Sequence, residues 1–193
     1  MAEKFDVICV GVMVADVLAS GVDNMIFSRD MTRVKDVKLS TGGDAFNQAI
    51  NLSSMGYKVS LRGKVGSDSI GRYLINEAEF RSIDVKRVSI DGETSTSITI
   101  VLINENGERN FIGNANGTNS KLLLKNIDFT SFEDSKIVSL GSLYGSITLT
   151  GEVAKEIFKH LLLISIFYQN FNRLKKKKNY SKVRIFYIFP ELF

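Results

Sequence analysis

The stretch FDVICVGV, residues 5–12, limits the fold more than any other part of the chain. It is short, almost continuously apolar, rich in Val and Ile, and bounded by Gly11, as a strand buried on both faces is. Such strands belong to parallel sheets covered by helices, so the rest of the chain has to supply those helices. KVSLRGKV (58–65) and SKIVSLGSL (135–143) read as further buried strands. Between them Ala45, Ala49, Leu52 and Gly56 share one stripe at helical spacing and Asn47 and Asn51 another, which predicts a helix over 45–55 with Asp44 as its N-cap. SIGRYLINEAEF (69–80), capped by Asp68 or Ser67, and TGEVAKEIFKH (150–160), with Thr150 as cap, predict two more. VKDVKL (34–39) fits a short exposed strand, and residues 96–103 and 109–113, joined by NENGE, read as a β-hairpin. Strands alternating with helices give a doubly wound parallel α/β sheet, and the hairpin gives it a small β lid.

Composition narrows the class. A hydrophobic fraction of 44% with 24% charged residues describes a globular chain. The single Cys9, inside an apolar run, reads as a buried thiol in a reducing compartment. Glu3 and Asp6 interrupt the region where a signal peptide would stand, so a cytoplasmic location is expected. The net charge of +4 suggests an acidic partner until its distribution is read. Residues 1–164 carry 18 basic and 20 acidic side chains, and the excess of Lys and Arg belongs to the end of the chain. No nucleic-acid or membrane partner is therefore expected for the body.

All 15 glycines lie at or before Gly151, and residues 161–193 are dominated by Ile, Phe, Tyr, Asn, Lys and Leu. Codons for most of these are rich in A and T, so this basic, aromatic tail reads as a frameshift product, non-native or disordered. A surface-binding segment or an ordinary terminal helix and strand are the alternatives.

The segment STGGDAFNQAIN (40–51) admits three readings. Gly42 and Gly43 before a helix could admit phosphate at the helix N-terminus. No Lys followed by Ser or Thr comes after them, no third glycine completes a dinucleotide fingerprint, and Asp44 would repel phosphate. A neutral polyol suits Asp16 and Asn47 better, because both exchange hydrogen bonds with hydroxyls. A tight turn with a capped helix needs no ligand at all.

Distant residues add to this. TGGDAFNQAINLSSMG, GKVGSDSIG, the hairpin region and the early GVMVAD together resemble the ribokinase-like sugar kinases, the PfkB carbohydrate kinase family. Gly42, Gly43, Ala45, Asn47, Ala49, Gly56 and Gly66 match the family's amino-terminal pattern in order and spacing. The resemblance implies that residues 1–160 are the amino-terminal part of such a domain, with lid strands near 13–40 and 94–118. It implies that Asp16, Gly42, Gly43 and Asn47 bind a sugar or nucleoside, and that Thr96, Ile98, Arg109 and Phe111 belong to the lid. It also implies ATP and Mg²⁺, transfer of the γ-phosphoryl group to a substrate hydroxyl, and a possible homodimer through the lid. The family's base lies in an Asp-Thr-x-Gly-Ala-Gly-Asp segment that this sequence does not contain. The expectation is a chain truncated at its carboxyl-terminal side and inactive alone, with a non-catalytic sugar-binding module as the alternative.

Overall fold

A computed structural model describes residues 5–129, 132, 135–142, 148, 152, 155–157, 159 and 184–187. The elements are β1 (Val7–Val10), β2 (Val14–Ser20), β3 (Asp36–Gly42), α1 (Asp44–Ser54), β4 (Val59–Arg62), β5 (Lys64–Gly66), α2 (Ser69–Phe80), β6 (Ser89–Asp91), β7 (Ile98–Ile103), β8 (Arg109–Gly113), β9 (Ile137–Leu140) and β10 (Arg184–Tyr187). A parallel sheet runs in the order β10-β9-β1-β4. Its strands alternate between two cores, which is why β1 is apolar throughout. Val7 and Cys9 join Ala45, Phe46 and Ala49 of α1, Val59 and Leu61 of β4, and Leu74 and Ala78 of α2. Ile8 and Val10 face Ile127, Phe132 and Ile157 on the other side. The two alanines let α1 approach the strands closely, and burying Phe46 fully contributes about 2–3 kcal/mol.

A second sheet, ordered β3-β2-β7-β8, is made of the strands that the sequence reading expects to form the lid. Strand β2 leaves β1 after only three residues and pairs antiparallel with β3 and parallel with β7. Strands β7 and β8 form the antiparallel hairpin around Asn104–Glu108, with Gly107 at φ +82°.

Several expectations change in detail. The strand read over 58–65 is two strands in two sheets: β4 stays with β1, while β5 pairs with β6, an element that the sequence does not announce. The break falls at Gly63, where a Cβ would come within 2.7 Å of the Gly11 carbonyl oxygen. The strand expected over 34–39 starts and ends later and takes in Ser40, Thr41 and Gly42, because pairing with β2 continues to the helix. Residues 152, 155–157 and 159 are helical, as the third helix requires, while Thr150 lies outside the described residues. Within the basic tail β10 pairs parallel with β9, and the rest of 161–193 lies outside the described residues. No helix among the described residues is long and apolar enough to cross a membrane.

Arg62 is fully buried at the end of β4. Its Nη1 bonds Ser60 and the Leu61 carbonyl and lies 3.7 Å from Asp84, but Nε and Nη2 have no acceptor among the described residues. Burial, with a smaller contribution from Arg87, pulls the guanidinium down to about 10 against the attraction of Asp84 and Asp128. A buried ion with unused donors gives back little stability, so Arg62→Met should leave the melting temperature unchanged or raise it. Asp84→Ala, which strands the cation, should cost about 3 kcal/mol in chemical denaturation. A larger loss for Arg62→Met than for Asp84→Ala would contradict this account.

Candidate sugar site at the strand-order reversal

Strand β1 lies between β4 and β9. The chain reaches β4 through the lid and α1, then returns to β9 on the other side of β1. Open α/β sheets bind ligands outside the carboxyl ends of the strands at such a reversal. Here those ends carry Gly11 and Gly141. The Gly141 amide donates to the Val10 carbonyl at 2.8 Å, and a Cβ on Gly11 would lie 2.7 Å from the Gly141 oxygen. Ser142 follows in a left-handed conformation, φ +61°, with its hydroxyl buried and without a hydrogen-bond partner among the described residues.

Helix α1 begins against this junction. The N-cap is Gly43, at φ +90° and ψ 135°, and not Asp44 as the sequence suggested. Asp44 is the first helical residue, and its Oδ2 accepts from the Ser142 amide at 3.0 Å. One turn on, Gln48 Oε1 accepts from Ser139 Oγ at 2.5 Å. Two side chains of α1 thus hold the end of β9. Sequence reasoning missed Ser142, Gln48 and this role of Asp44; the available signal was the Gly-Ser pair closing the apolar run IVSLGS.

Asp16 and the glycines meet closely. Asp16 is the third residue of β2, diagonal to Gly42 of β3, and a Cβ on Gly42 would overlap its carboxylate. Gly43 rests on the Val12 carbonyl in the same way. Asp16 is half-buried, and its side chain has no hydrogen bond or ion pair among the described residues. Burial pushes its carboxyl above the ordinary value. A carboxylate partly stripped of water and lacking a protein donor is an acceptor for ligand hydroxyls. Asn47 sits on the first turn of α1 with an exposed side chain.

The four lid residues separate. Thr96 is buried just before β7: its hydroxyl donates to Asp68 Oδ1 at 2.7 Å, its amide donates to Oδ2 at 2.7 Å, and Gly66 N donates to the hydroxyl at 2.8 Å. Asp68 also caps α2 through the Gly71 amide at 2.7 Å. Thr96 is therefore spent on joining the lid to the body. Ile98 opens β7, half-buried opposite Ala15, while Arg109 and Phe111 are exposed on β8. Burial raises the Asp68 carboxyl, but the donors from Thr96 and Gly71 outweigh it and hold it below its ordinary value. Its contribution is complete above that ordinary value and is lost as pH falls through the depressed one. Thr96→Val removes a charge-assisted bond and strands the Gly66 amide, so we expect a loss of about 2–4 kcal/mol by urea denaturation. A loss under about 0.5 kcal/mol would show that Asp68 does not depend on Thr96.

The chain is similar to known sugar kinases in sequence and in fold. An uncharacterized sugar kinase of Pyrococcus horikoshii is 29% identical over 131 residues, covering 66% of this chain and 42% of that protein. Its crystal structure matches with a TM-score of 0.63 at 24% identity, over 82% of this chain and 51% of that one. Ribokinase of Dictyostelium discoideum is 30% identical over 116 residues, 57% of this chain and 36% of the relative. The structure of fructokinase from Xylella fastidiosa matches with a TM-score of 0.64 at 20% identity, over 81% of this chain and 48% of that one, a likeness of fold. The chain spans less than half the length of the curated relatives it matches. The family model for pfkB carbohydrate kinases matches residues 4–190, nearly the whole sequence, and the chain belongs to that family.

Proposed function

We propose that this chain is the sugar-recognising part of an ATP-dependent carbohydrate kinase. The observation that carries this is the unpartnered Asp16 carboxylate resting on Gly42, beside the start of α1 at the strand-order reversal. Asp16 accepts hydrogen bonds from substrate hydroxyls. Gly42 lets the Asp16 carboxylate lie against the backbone, Gly43 lets α1 start against the Val12 carbonyl, and Asn47 reaches a further hydroxyl from α1. The β2-β3-β7-β8 sheet closes over the sugar and keeps water from the phosphoryl group. Phe111 supplies its apolar cover, Arg109 its outer edge and Thr96 its anchor, while Ile98, paired with Ala15, lies on the sheet's other face.

ATP is the proposed phosphoryl donor, since two of the structural relatives have been crystallised with it. The sequence contains no Gly-Ala-Gly-Asp segment to supply a base and an anion cradle. Among the described residues no group of three or more His, Cys, Asp or Glu could hold a metal ion. The 193 residues by themselves should bind sugar without phosphorylating it. Calorimetric titration with fructose and ribose should give saturable heat that Asp16→Ala abolishes, and a coupled assay should detect no ADP release. Steady ATP turnover would contradict the inactivity, and the absence of binding would contradict the site.

A second copy is the proposed cover for the lid's outer face. Leu39, Val17, Ile100 and Ile112 form one row across all four strands, and Leu39, Ile100 and Ile112 are 42%, 39% and 47% exposed. An apolar row of that kind is a docking surface. Ile100→Lys should convert a dimer to a monomer in analytical ultracentrifugation, and a wild-type monomer would overturn the pairing.

A further inference from the structure

We infer that the substrate is a sugar carrying an anionic group, phosphate or carboxylate, recognised by Lys38 on the same lid face as Asp16. This rests on the sugar-binding reading above and adds the class of sugar. Directly opposed residues in a sheet share a face, so the pairing register lays the lid out in rows. Asp16 stands opposite Ser40 on β3 and Thr99 on β7. All three are half-buried, and they form a continuous row of hydrogen-bonding side chains on the face that leans over Gly42. The next row on that face is Lys38, Leu18, Val101 and Phe111, and the one beyond is Asp36, Ser20, Ile103 and Arg109.

Two residues along a strand advance about 7 Å, and neighbouring strands lie about 4.8 Å apart. The Lys38 backbone is thus roughly 8 Å from that of Asp16, within the combined reach of a lysine side chain and a hexose. Its side chain is exposed and has no hydrogen bond or ion pair among the described residues. Lys38 and Arg109 are the only basic residues of the four strands, and the register puts both on the Asp16 face; the opposite face is nearly all apolar. A lysine serving only to guard an edge strand could stand on either face. The charged groups on the face are Asp16, Lys38, Asp36 and Arg109, and their order sets an orientation. Asp16 repels an anion and accepts hydroxyls, so the polyol end lies on the Ser40–Asp16–Thr99 row and the anion points outward to Lys38. Arg109 is another row out, at the lid tip.

The test is calorimetric titration of the whole chain at low salt with fructose, fructose 6-phosphate and gluconate. At least one of the two anions should bind about tenfold or more tightly than fructose, the range of a charge-assisted hydrogen bond. Which anion gains the preference distinguishes phosphate from carboxylate. In Lys38→Gln the preference should collapse to about twofold or less, while Lys38→Arg should keep it. Lys38 is exposed on an edge strand, so neither variant puts folding at stake. Equal binding of all three ligands, or a preference that survives Lys38→Gln, would overturn the inference and leave the sugar site standing. Binding of none of the three would overturn the sugar site and this inference together.

Discussion

Replacing Gly43 by alanine should lower the melting temperature by about 10 °C, measured by scanning calorimetry. Two costs combine. The backbone at Gly43 lies at φ +90°, a conformation that costs an L-residue about 1–2 kcal/mol. The new Cβ would also overlap the Val12 carbonyl oxygen and sit 3.0 Å from its carbon, and neither is a side chain that can swing away. Together they should cost about 3–4 kcal/mol, a large share of the total stability of a domain. Gly56→Ala is the control. It has a similar φ of +85° but nothing within 4 Å, so it should lose only about 3 °C. Equal losses in the two variants would mean that the close approach of the α1 start to the β1–β2 connection does not matter.

Asp16→Asn should abolish most sugar binding and yet stabilise the free protein. Losing a charged acceptor for ligand hydroxyls should weaken binding by about 10- to 100-fold. The stability effect follows from linkage. Burial raises the Asp16 carboxyl in the folded state, so the folded chain holds its proton more tightly than the unfolded chain. The stability that this proton provides is complete below the ordinary carboxylate value and is lost as pH rises through the raised one. At neutral pH the free protein therefore carries an ionised carboxylate without a donor. Asparagine removes that burden while keeping the size of the side chain. The variant should melt above wild type at pH 7, and the gap should close in acid. A lower melting temperature at pH 7, with sugar binding intact, would place Asp16 in the framework and outside the ligand site.

Much of the α/β frame was legible because hydrophobic spacing reports which way side chains point. The apolar run around Val7–Val10 requires two cores, and the Ala45, Ala49 stripe requires a helix on one of them. Other features were not legible, because local periodicity cannot show where a chain changes partners. Nothing in KVSLRGKV marks Gly63 as the point where one strand ends and another begins in a different sheet. That break exists because the Gly11 backbone crosses close to it. The cap of α1 was misplaced by one residue for a related reason. An acid before a helix is normally its cap, but here the Asp44 carboxylate is taken by an amide 98 positions away.

The sequence alone determined the classes of element, the glycines between them and the family pattern, since these depend on the conformational limits and solubility of neighbouring residues. Only the tertiary structure decided what those residues face. Asp16 became a half-buried acceptor because β2 pairs with β3 and brings Gly42 beneath its carboxylate. Thr96, one lid residue among four in the sequence, became an anchor because Asp68 stands 28 positions away in the chain and 2.7 Å away in space. Contacts at that separation arise from strand pairing across the whole chain, which no local window contains.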